Sequence, residues 1–349
     1  MTAAVSVVVP VYNVEGYLER CLASVRAQTL EDIEVIAVND GSTDGSREVL
    51  ARCAEADPRI RIVDKENGGL SSARNAGIRA ATAPIVCFLD SDDLLEPNAC
   101  ERIARAFDEG GPRTDVVTFG AHCLPAEAGY PWLVEHLSPR DAVYDPFEPA
   151  LLFEEMSRPF AWRTACRTDF LREGGLFFDE GLRFGEDQVF HFAVYPRARR
   201  TVLLSDKLYD YEVAREGSLM AVVASDPVRK MEEHVPIMGA IFDDWAAAGL
   251  LDAYGGQLVG EYVDFALQGI LDLPGADRER LHRPAAAVLT GHLGDEALAA
   301  LELPAATRAI VEAFLSDEAI GDDRARRLRR AFYRRRITPK RVLRRLLGR

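Results

Sequence analysis

An alternation in the N-terminal part of the chain constrains the fold most tightly. Short apolar runs rich in β-branched residues, at 5–9, 33–38, 60–63 and 85–89, are separated by segments with helical patterning. In the first of these segments, 16–27, Leu18, Cys21, Leu22 and Val25 fall on one helix face. Residues 46–56 and 71–80 read the same way. Strand, helix, strand, helix with short connections predicts a mostly parallel α/β sheet flanked by helices. Such sheets bind ligands at the carboxyl ends of their strands.

Beyond residue 90 the pattern loosens. Another strand is expected at 115–119, then a long loop with little regular structure from about 120 to 150, rich in Pro, Gly and aromatics. Helical segments follow at 147–156 and 188–195, with short strands at 201–204 and 207–211. Past 225 the character changes to Ala/Leu/Glu-rich helices, expected at 231–248, 256–271, 285–293 and 305–315. The expected division is an α/β domain over 1–225, a helical region with an acceptor or oligomer role over 226–323, and a basic tail over 324–349.

Charge sharpens that division. The chain carries −14 overall, yet 324–349 alone carries +13, which leaves −27 on the rest. So acidic a body is a poor general nucleic-acid binder, and no nucleic-acid partner is expected. In the tail the charges are interleaved with Leu328, Phe332, Ile337, Val342, Leu343, Leu346 and Leu347. That spacing predicts basic amphipathic helices, broken near Pro339, suited to an anionic membrane leaflet, an anionic polymer or the acidic body itself. No run approaches the ~18 apolar residues of a membrane span. The first residues lack the basic region of a secretory signal, and the six cysteines show no C-x-x-C spacing. They read as reduced, partly buried thiols, and the expected address is cytoplasmic, peripheral on the inner face of the membrane if the tail binds it.

The strand ends hold the chemistry. After the first run comes Pro10-Val11-Tyr12-Asn13, a turn able to offer backbone and a ring to a flat base. After the second comes Asn39-Asp40-Gly41-Ser42-Thr43-Asp44, where Asp40 could accept an N–H from a base and Ser42 or Asp44 could cap the next helix. After the third comes Asn67-Gly68-Gly69-Leu70-Ser71-Ser72-Ala73-Arg74-Asn75, with Ser71 or Ser72 as a cap and Arg74 in the first turn. After the fourth comes Asp90-Ser91-Asp92-Asp93. Two carboxylates two residues apart on a loop suit a hard cation such as Mg²⁺ or Mn²⁺, which takes one or two carboxylates plus phosphate oxygens. Each cluster alone is ordinary turn chemistry. Four in succession along one sheet edge point to a binding site. A fifth element, Gly185-Glu186-Asp187-Gln188, begins an apolar-periodic helix, and its acids suit either a helix cap or a general base.

In this order and spacing, these motifs resemble the family 2 glycosyltransferases. The resemblance spans about residues 5–95 and continues more loosely through Phe160–Trp162, 178–187 and 209–218. It implies a GT-A fold and inverting transfer from a nucleotide-diphosphate sugar, UDP-linked, to a hydroxyl of a surface glycan, a teichoic-acid-like polymer, a lipid-linked acceptor or a secondary metabolite. It further implies that Pro10, Tyr12, Asn13 and Asp40 hold the nucleoside, with Asn67, Gly68 and Arg74 near ribose and diphosphate. Asp90 and Asp92 become the D-x-D that binds Mn²⁺ or Mg²⁺, Asp92 the more direct ligand. Asp187 becomes the catalytic base with Glu186 beside it, and Arg215 and Ser218 face the donor phosphates. The Gln-x-x-Arg-Trp motif of processive synthases is missing. The competing reading is a non-catalytic relative that scaffolds an assembly at a membrane. A nucleotidyltransferase would want a Gly-rich basic loop where Pro10-Val11-Tyr12-Asn13 stands.

Overall fold

The structure, a computed structural model, describes residues 3–213 and 226–336, with side chains through Arg334. It divides into two compact units, Met1–Glu216 and Gly217–Arg349.

The first unit opens with β1 (Val5–Val11), α1 (Glu15–Arg26), β2 (Ile33–Asp40), α2 (Ser46–Ala56), β3 (Ile60–Lys65), α3 (Leu70–Ala80) and β4 (Ile85–Phe88). Every residue of β1 is buried. It lies between β2 and β4 and is parallel to both, so it has no solvent face and its sequence has no polar alternation. β3 pairs parallel on the outer side of β2. α3 lies close against the sheet: a Cβ built on Gly77 would come 2.2 Å from Val8 Cγ1, so only glycine lets helix and strand approach this far.

The chain then forms β5 (Leu94–Leu95), α4 (Ala99–Gly110), β6 (Val116–Leu124), α5 (Pro131–His136), β7 (Ala142–Tyr144), α6 (Ala150–Phe153), β8 (Thr164–Arg167), α7 (Thr168–Glu173), α8 (Glu186–Val194) and β9 (Thr201–Glu212). The sheet order is β3-β2-β1-β4-β8-β6-β9-β5, with β7 also on β9. It is mixed: β8 runs antiparallel to β4 and β6, and β5 and β7 run antiparallel to β9.

Several expectations need correction. Residues 120–150 are not one irregular loop. β6 continues to Leu124 because Phe119 and Ala121 are buried, and α5 and β7 follow. The strands expected at 201–204 and 207–211 are one strand, β9. Its polar middle interrupts the apolar pattern, but Asp141 accepts from the Ser205 amide at 2.7 Å and Arg102 pairs with Asp206 at 3.1 Å, so the strand continues through it. Within 147–156 only α6 is helical. α3 starts at Leu70 behind Gly69, whose φ of 87° is open to glycine, so Ser71 and Ser72 lie inside the helix and do not cap it. At α2 the N-cap is Gly45 and not Ser42 or Asp44, although Asp44, one residue earlier, accepts the Ser46 amide at 3.0 Å. All six cysteines are free and five are buried, as expected of reduced thiols.

The second unit is helical: Pro227–Ala247, Leu251–Tyr262, Gly275–His292, Asp295–Ala300, Ala305–Leu315 and Asp322–Arg336. The expected single helix at 256–271 is interrupted by a π-helical stretch, Val263–Leu267. Its core includes Phe242, Trp245, Leu258, Tyr262 and Ile310. Among the described residues no helix is long and apolar enough to cross a membrane.

The basic tail begins as a docked helix. Ala325 and Phe332 are 1% and 7% exposed, Arg329 pairs with Asp272, Arg278 with Asp322, and Tyr333 bonds Gln268. Arg326, Arg327, Arg330 and Arg334 stay exposed. The stretch 337–349, including Pro339, lies outside the described residues. A chain ending at 336, with the docked helix intact, sets the reference midpoint. Ending it at 323 removes Phe332 from its seat, which should cost about 2–3 kcal/mol and lower the midpoint by roughly 5–10 °C. Thermal unfolding followed by circular dichroism reads both, and an unchanged midpoint for the shorter chain would mean that the helix contributes nothing to this core.

Candidate active site

The parallel order β3-β2-β1-β4 sets the polar ends of four strands side by side. Pro10 is itself buried inside β1, opposite Val38. Tyr12, just beyond the strand, is 48% exposed. Asn13 adopts a left-handed backbone, φ 51°, which asparagine tolerates. Its side-chain oxygen accepts the Thr43 amide at 2.8 Å, and its own amide donates to Ser42 Oγ at 3.3 Å. The turn after β1 is thus tied to the turn after β2, and Tyr12 is left facing solvent between them.

Asp40 ends β2, and only 2% of it is exposed. Its carboxylate accepts from Lys65 Nζ at 2.5 Å, the Gly68 amide at 3.0 Å and the Gly69 amide at 2.8 Å. Asn67 Nδ2 donates to the Asp40 carbonyl at 3.1 Å. Asp40, Asn67 and Gly68 are therefore brought together as expected. The Asp40 side chain is engaged in shaping the glycine turn that launches α3.

Arg74 sits a little over one turn into that helix and is 2% exposed. Its Nη2 donates to Asp90 Oδ1 at 2.7 Å, its Nη1 donates to Glu186 Oε1 at 2.9 Å, and its guanidinium lies 5.2 Å from the Phe178 ring centroid. Burial opposes the charge, but Asp90 and Glu186 outweigh it and hold the guanidinium firmly protonated. The end of β4 and the start of α8, nearly a hundred residues apart in sequence, meet on this one side chain.

The acids at β4 divide by direction. Asp93 turns inward, 1% exposed, where it accepts from Tyr209 Oη at 2.6 Å and the Glu212 amide at 2.7 Å. The Tyr209 hydroxyl in turn accepts the Asp90 amide at 3.1 Å, and the Tyr209 ring is stacked by Trp162 at 4.1 Å. Burial, then the charges of Asp92 and Asp90, push the Asp93 carboxyl well above the carboxylate range. Asp93 is a structural acid. Asp92 is half-buried, and its carbonyl accepts from Arg20 Nη2 at 3.0 Å. Among the described residues no group of three or more His, Cys, Asp or Glu is arranged to hold a metal by itself.

At α8, Gly185 supplies a left-handed N-cap with φ 72°. Glu186 and Asp187 occupy the first turn, where acids oppose the helix dipole. Burial and the neighbouring Asp187 charge, partly offset by Arg74, raise the Glu186 carboxyl to about 7. Asp187 Oδ1 accepts the Gln188 amide at 2.8 Å, and its Oδ2 accepts the Phe160 amide at 2.9 Å. Phe160 has φ 76°, a left-handed backbone that costs a non-glycine residue roughly 1–2 kcal/mol. Its ring stacks on Trp162 at 5.2 Å. The first turn of α8 is thus both capped and clamped to a strained neighbour.

Arg215 and Ser218 lie outside the described residues. Residues the motifs did not single out are Lys65, Tyr209, Glu212 and Arg20. Their signal is faint, because a lysine at a strand end or a tyrosine in a strand is ordinary until the partner carboxylate is known.

A neutral Glu186 favours the fold below its ordinary range, and that contribution is lost as pH rises through about 7. Glu186→Gln keeps the shape without the charge. Relative to wild type, the variant should gain up to about 3 kcal/mol of stability between pH 5 and 8.5, measured by urea unfolding. A difference that does not change with pH would remove the raised carboxyl.

The family model described as Glycosyl transferase family 2 matches residues 6–145. EpsJ of Bacillus subtilis (strain 168), named an uncharacterized glycosyltransferase, is 35% identical over 214 residues, which are 60% of this chain and 61% of EpsJ. The match thus spans about three-fifths of that relative's length. The glycosyltransferase GlyG of Streptococcus pneumoniae serotype 4 is 30% identical over 228 residues, 63% of this chain and 74% of GlyG. TarS of Staphylococcus aureus (strain MW2), named a poly(ribitol-phosphate) β-N-acetylglucosaminyltransferase, is 27% identical over 262 residues, 74% of this chain and 43% of TarS. The crystal structure of S. aureus TarS 1–349 in complex with UDP-GlcNAc matches with a TM-score of 0.76 at 22% identity, covering 96% of this chain and 92% of that one. At this identity the likeness shows the fold.

Proposed function

The chain belongs to the family 2 glycosyltransferases, and on that premise we propose that it is an inverting enzyme moving one sugar from a UDP-linked donor to a hydroxyl of a surface glycan or lipid-linked acceptor. The observation that supports the proposal is the meeting of Asp90 and Glu186 on Arg74; in this reading their sequence neighbours Asp92 and Asp187 serve the same centre. The donor seen with the TarS structure makes UDP-N-acetylglucosamine the first one to test.

Inverting transfer is a single in-line displacement. The acceptor oxygen attacks the anomeric carbon from one face while the diphosphate leaves from the other, so one base suffices and no covalent intermediate forms. In this reading the exposed Tyr12 ring stacks on the base, and the turn held by Asp40, with Asn67 and Gly68, borders the ribose. Asp187 takes the acceptor's proton; its first-turn position keeps it fixed, because two backbone amides already orient it. Glu186 and Arg74 position that turn.

A divalent ion, Mn²⁺ or Mg²⁺, fits the end of β4. After burial, the charges of Asp92 and Asp90 are what raise the Asp93 carboxyl, so negative charge gathers there, and two carboxylates plus diphosphate oxygens make the oxygen set such an ion takes. Bound there, the ion would supply neutralisation of the charge on the departing diphosphate. The exposed arginines of Asp322–Arg336, with the basic stretch after it, support a place against an anionic membrane surface.

Two substitutions test this reading with UDP-N-acetylglucosamine and Mn²⁺. Asp92→Ala should abolish metal-dependent donor binding in a calorimetric titration while the fold persists; unchanged affinity would remove Asp92 from the site. Asp187→Asn retains an oxygen for an amide but cannot accept a proton. Turnover, read as donor hydrolysis or transfer, should fall ~10²- to 10⁴-fold with donor affinity nearly constant. Retention of more than about a tenth of turnover would pass the base role to Glu186, whose acid limb near pH 7 would then appear in the rate profile.

A further inference from the structure

Three exposed large apolar side chains fall within five residues of one another: Tyr130 at 48%, Trp132 at 43% and Val134 at 43%. Single exposed apolar residues are ordinary, but a cluster marks a contact surface. The rings are ordered. Tyr130 and Trp132 lie 13° from parallel with centroids 6.2 Å apart, and the His136 ring stacks on Trp132 at 4.0 Å. Leu133, 2% exposed, anchors the inner side of α5 and turns these rings outward.

This cluster borders the site already described. β6 runs beside β9 with Cys123 opposite Tyr211 and Leu124 opposite Glu212, the residue whose amide holds Asp93. The turn after β6 folds back onto that strand, since a Cβ on Gly129 would lie 3.1 Å from Cys123 Sγ. The far end of α5 is fixed as well: Arg163, fully buried, donates to the His136 carbonyl, and its neighbour Trp162 stacks on Tyr209 and Tyr211.

The surrounding charge is one-sided. Residues 125–156 contain seven acidic side chains and one basic one, Arg140, which is tied to Glu155. Burial pushes the His136 imidazole below its ordinary range, so it adds no positive charge at neutral pH. Arg158 is engaged by the Leu152 carbonyl and Gln188, and Arg163 by carbonyls. Arg113 and Arg200 pair with Asp145, and Lys207 acts on Cys123 from β9, yet the acids still outnumber the bases, which disfavours a polyanion. The flat C–H face of a pyranose is uncharged and slightly electropositive, which suits the electron-rich face of an aromatic ring.

We propose that Tyr130 and Trp132 form the acceptor subsite, and that it takes a neutral, pyranose-containing glycan and not a polyol-phosphate chain. The proposal rests on the transferase reading and narrows its acceptor class.

The test uses binding alone. The chain has three tryptophans, and Trp162 and Trp245 are buried at 3% and 0%, so a change in emission on adding sugar reports Trp132. Cellohexaose, chitohexaose and inorganic polyphosphate are titrated into the full chain, with UDP plus Mn²⁺ as a parallel titration. A neutral hexasaccharide should shift the emission to the blue. By calorimetry its affinity should fall at least about tenfold in Trp132→Ala and in Tyr130→Ala, and stay within about threefold in Trp132→Phe. Tighter binding of polyphosphate than of either hexasaccharide would overturn the proposal. So would hexasaccharide binding indifferent to Trp132→Ala, or an emission unmoved by both sugars. If UDP fails to bind while a hexasaccharide binds through Trp132, the transferase reading falls and the sugar platform stands.

Discussion

The buried Arg74 guanidinium is the interaction on which the candidate site depends. An arginine this deep is tolerated only with its charge compensated. Asp90 provides the charge from one side, and Glu186, its carboxyl raised to about 7, an acceptor oxygen and a share of the charge from the other. Replacing a buried ion network with apolar packing often leaves stability unchanged or improves it, so the network is better read as a positioning device than as a source of stability. Neither carboxylate can shift without leaving the arginine uncompensated. The constraint extends backwards along the chain: Asp40 fixes the glycine turn, the turn fixes the start of α3, and α3 carries Arg74 to its place.

A division of labour recurs on both sides of that arginine. At the end of β4, Asp93 points inward to Tyr209 and Glu212, while Asp92 stays nearer the surface. At the start of α8, Glu186 points inward to Arg74, while Asp187 holds backbone amides. Both inward acids have carboxyls raised by burial and by neighbouring negative charge. Environment alone thus separates acids that are adjacent in sequence, the general route by which one site runs two kinds of carboxyl chemistry.

The sequence was most legible where burial is two-sided. β1, β2 and β4 are apolar runs because both faces are covered, and the turns between them carry the polar residues that line up at the edge. The helix at Ala305–Leu315 was equally plain from its periodicity. β8 was not legible: Thr-Ala-Cys-Arg is too short to show a period, and it becomes a strand only because β4 and β6 flank it. α4 does carry a helical pattern in Cys100, Ile103 and Phe107, which the chemistry-rich β4 end overshadowed. Within the site, Asp90, Asp92 and Asp187 could be named from motif order, but the inward turn of Asp93 could not. It depends on Tyr209 and Glu212, well over a hundred residues away.

Arg163 has a consequence of a different kind. Its planar fork spans two carbonyls, those of His136 and Met156. Lysine could not replace it, having neither the geometry nor a charge that survives such burial as well. The segment 137–155 therefore springs from two feet clamped by a single side chain. Between those feet β7 and α6 are packed, and only the exposed connections around them can exchange residues while the aromatic rings before and the Trp162 stack after keep their positions. The clamp thus confines tolerance to substitution to those connections and withholds it from the rings on either side.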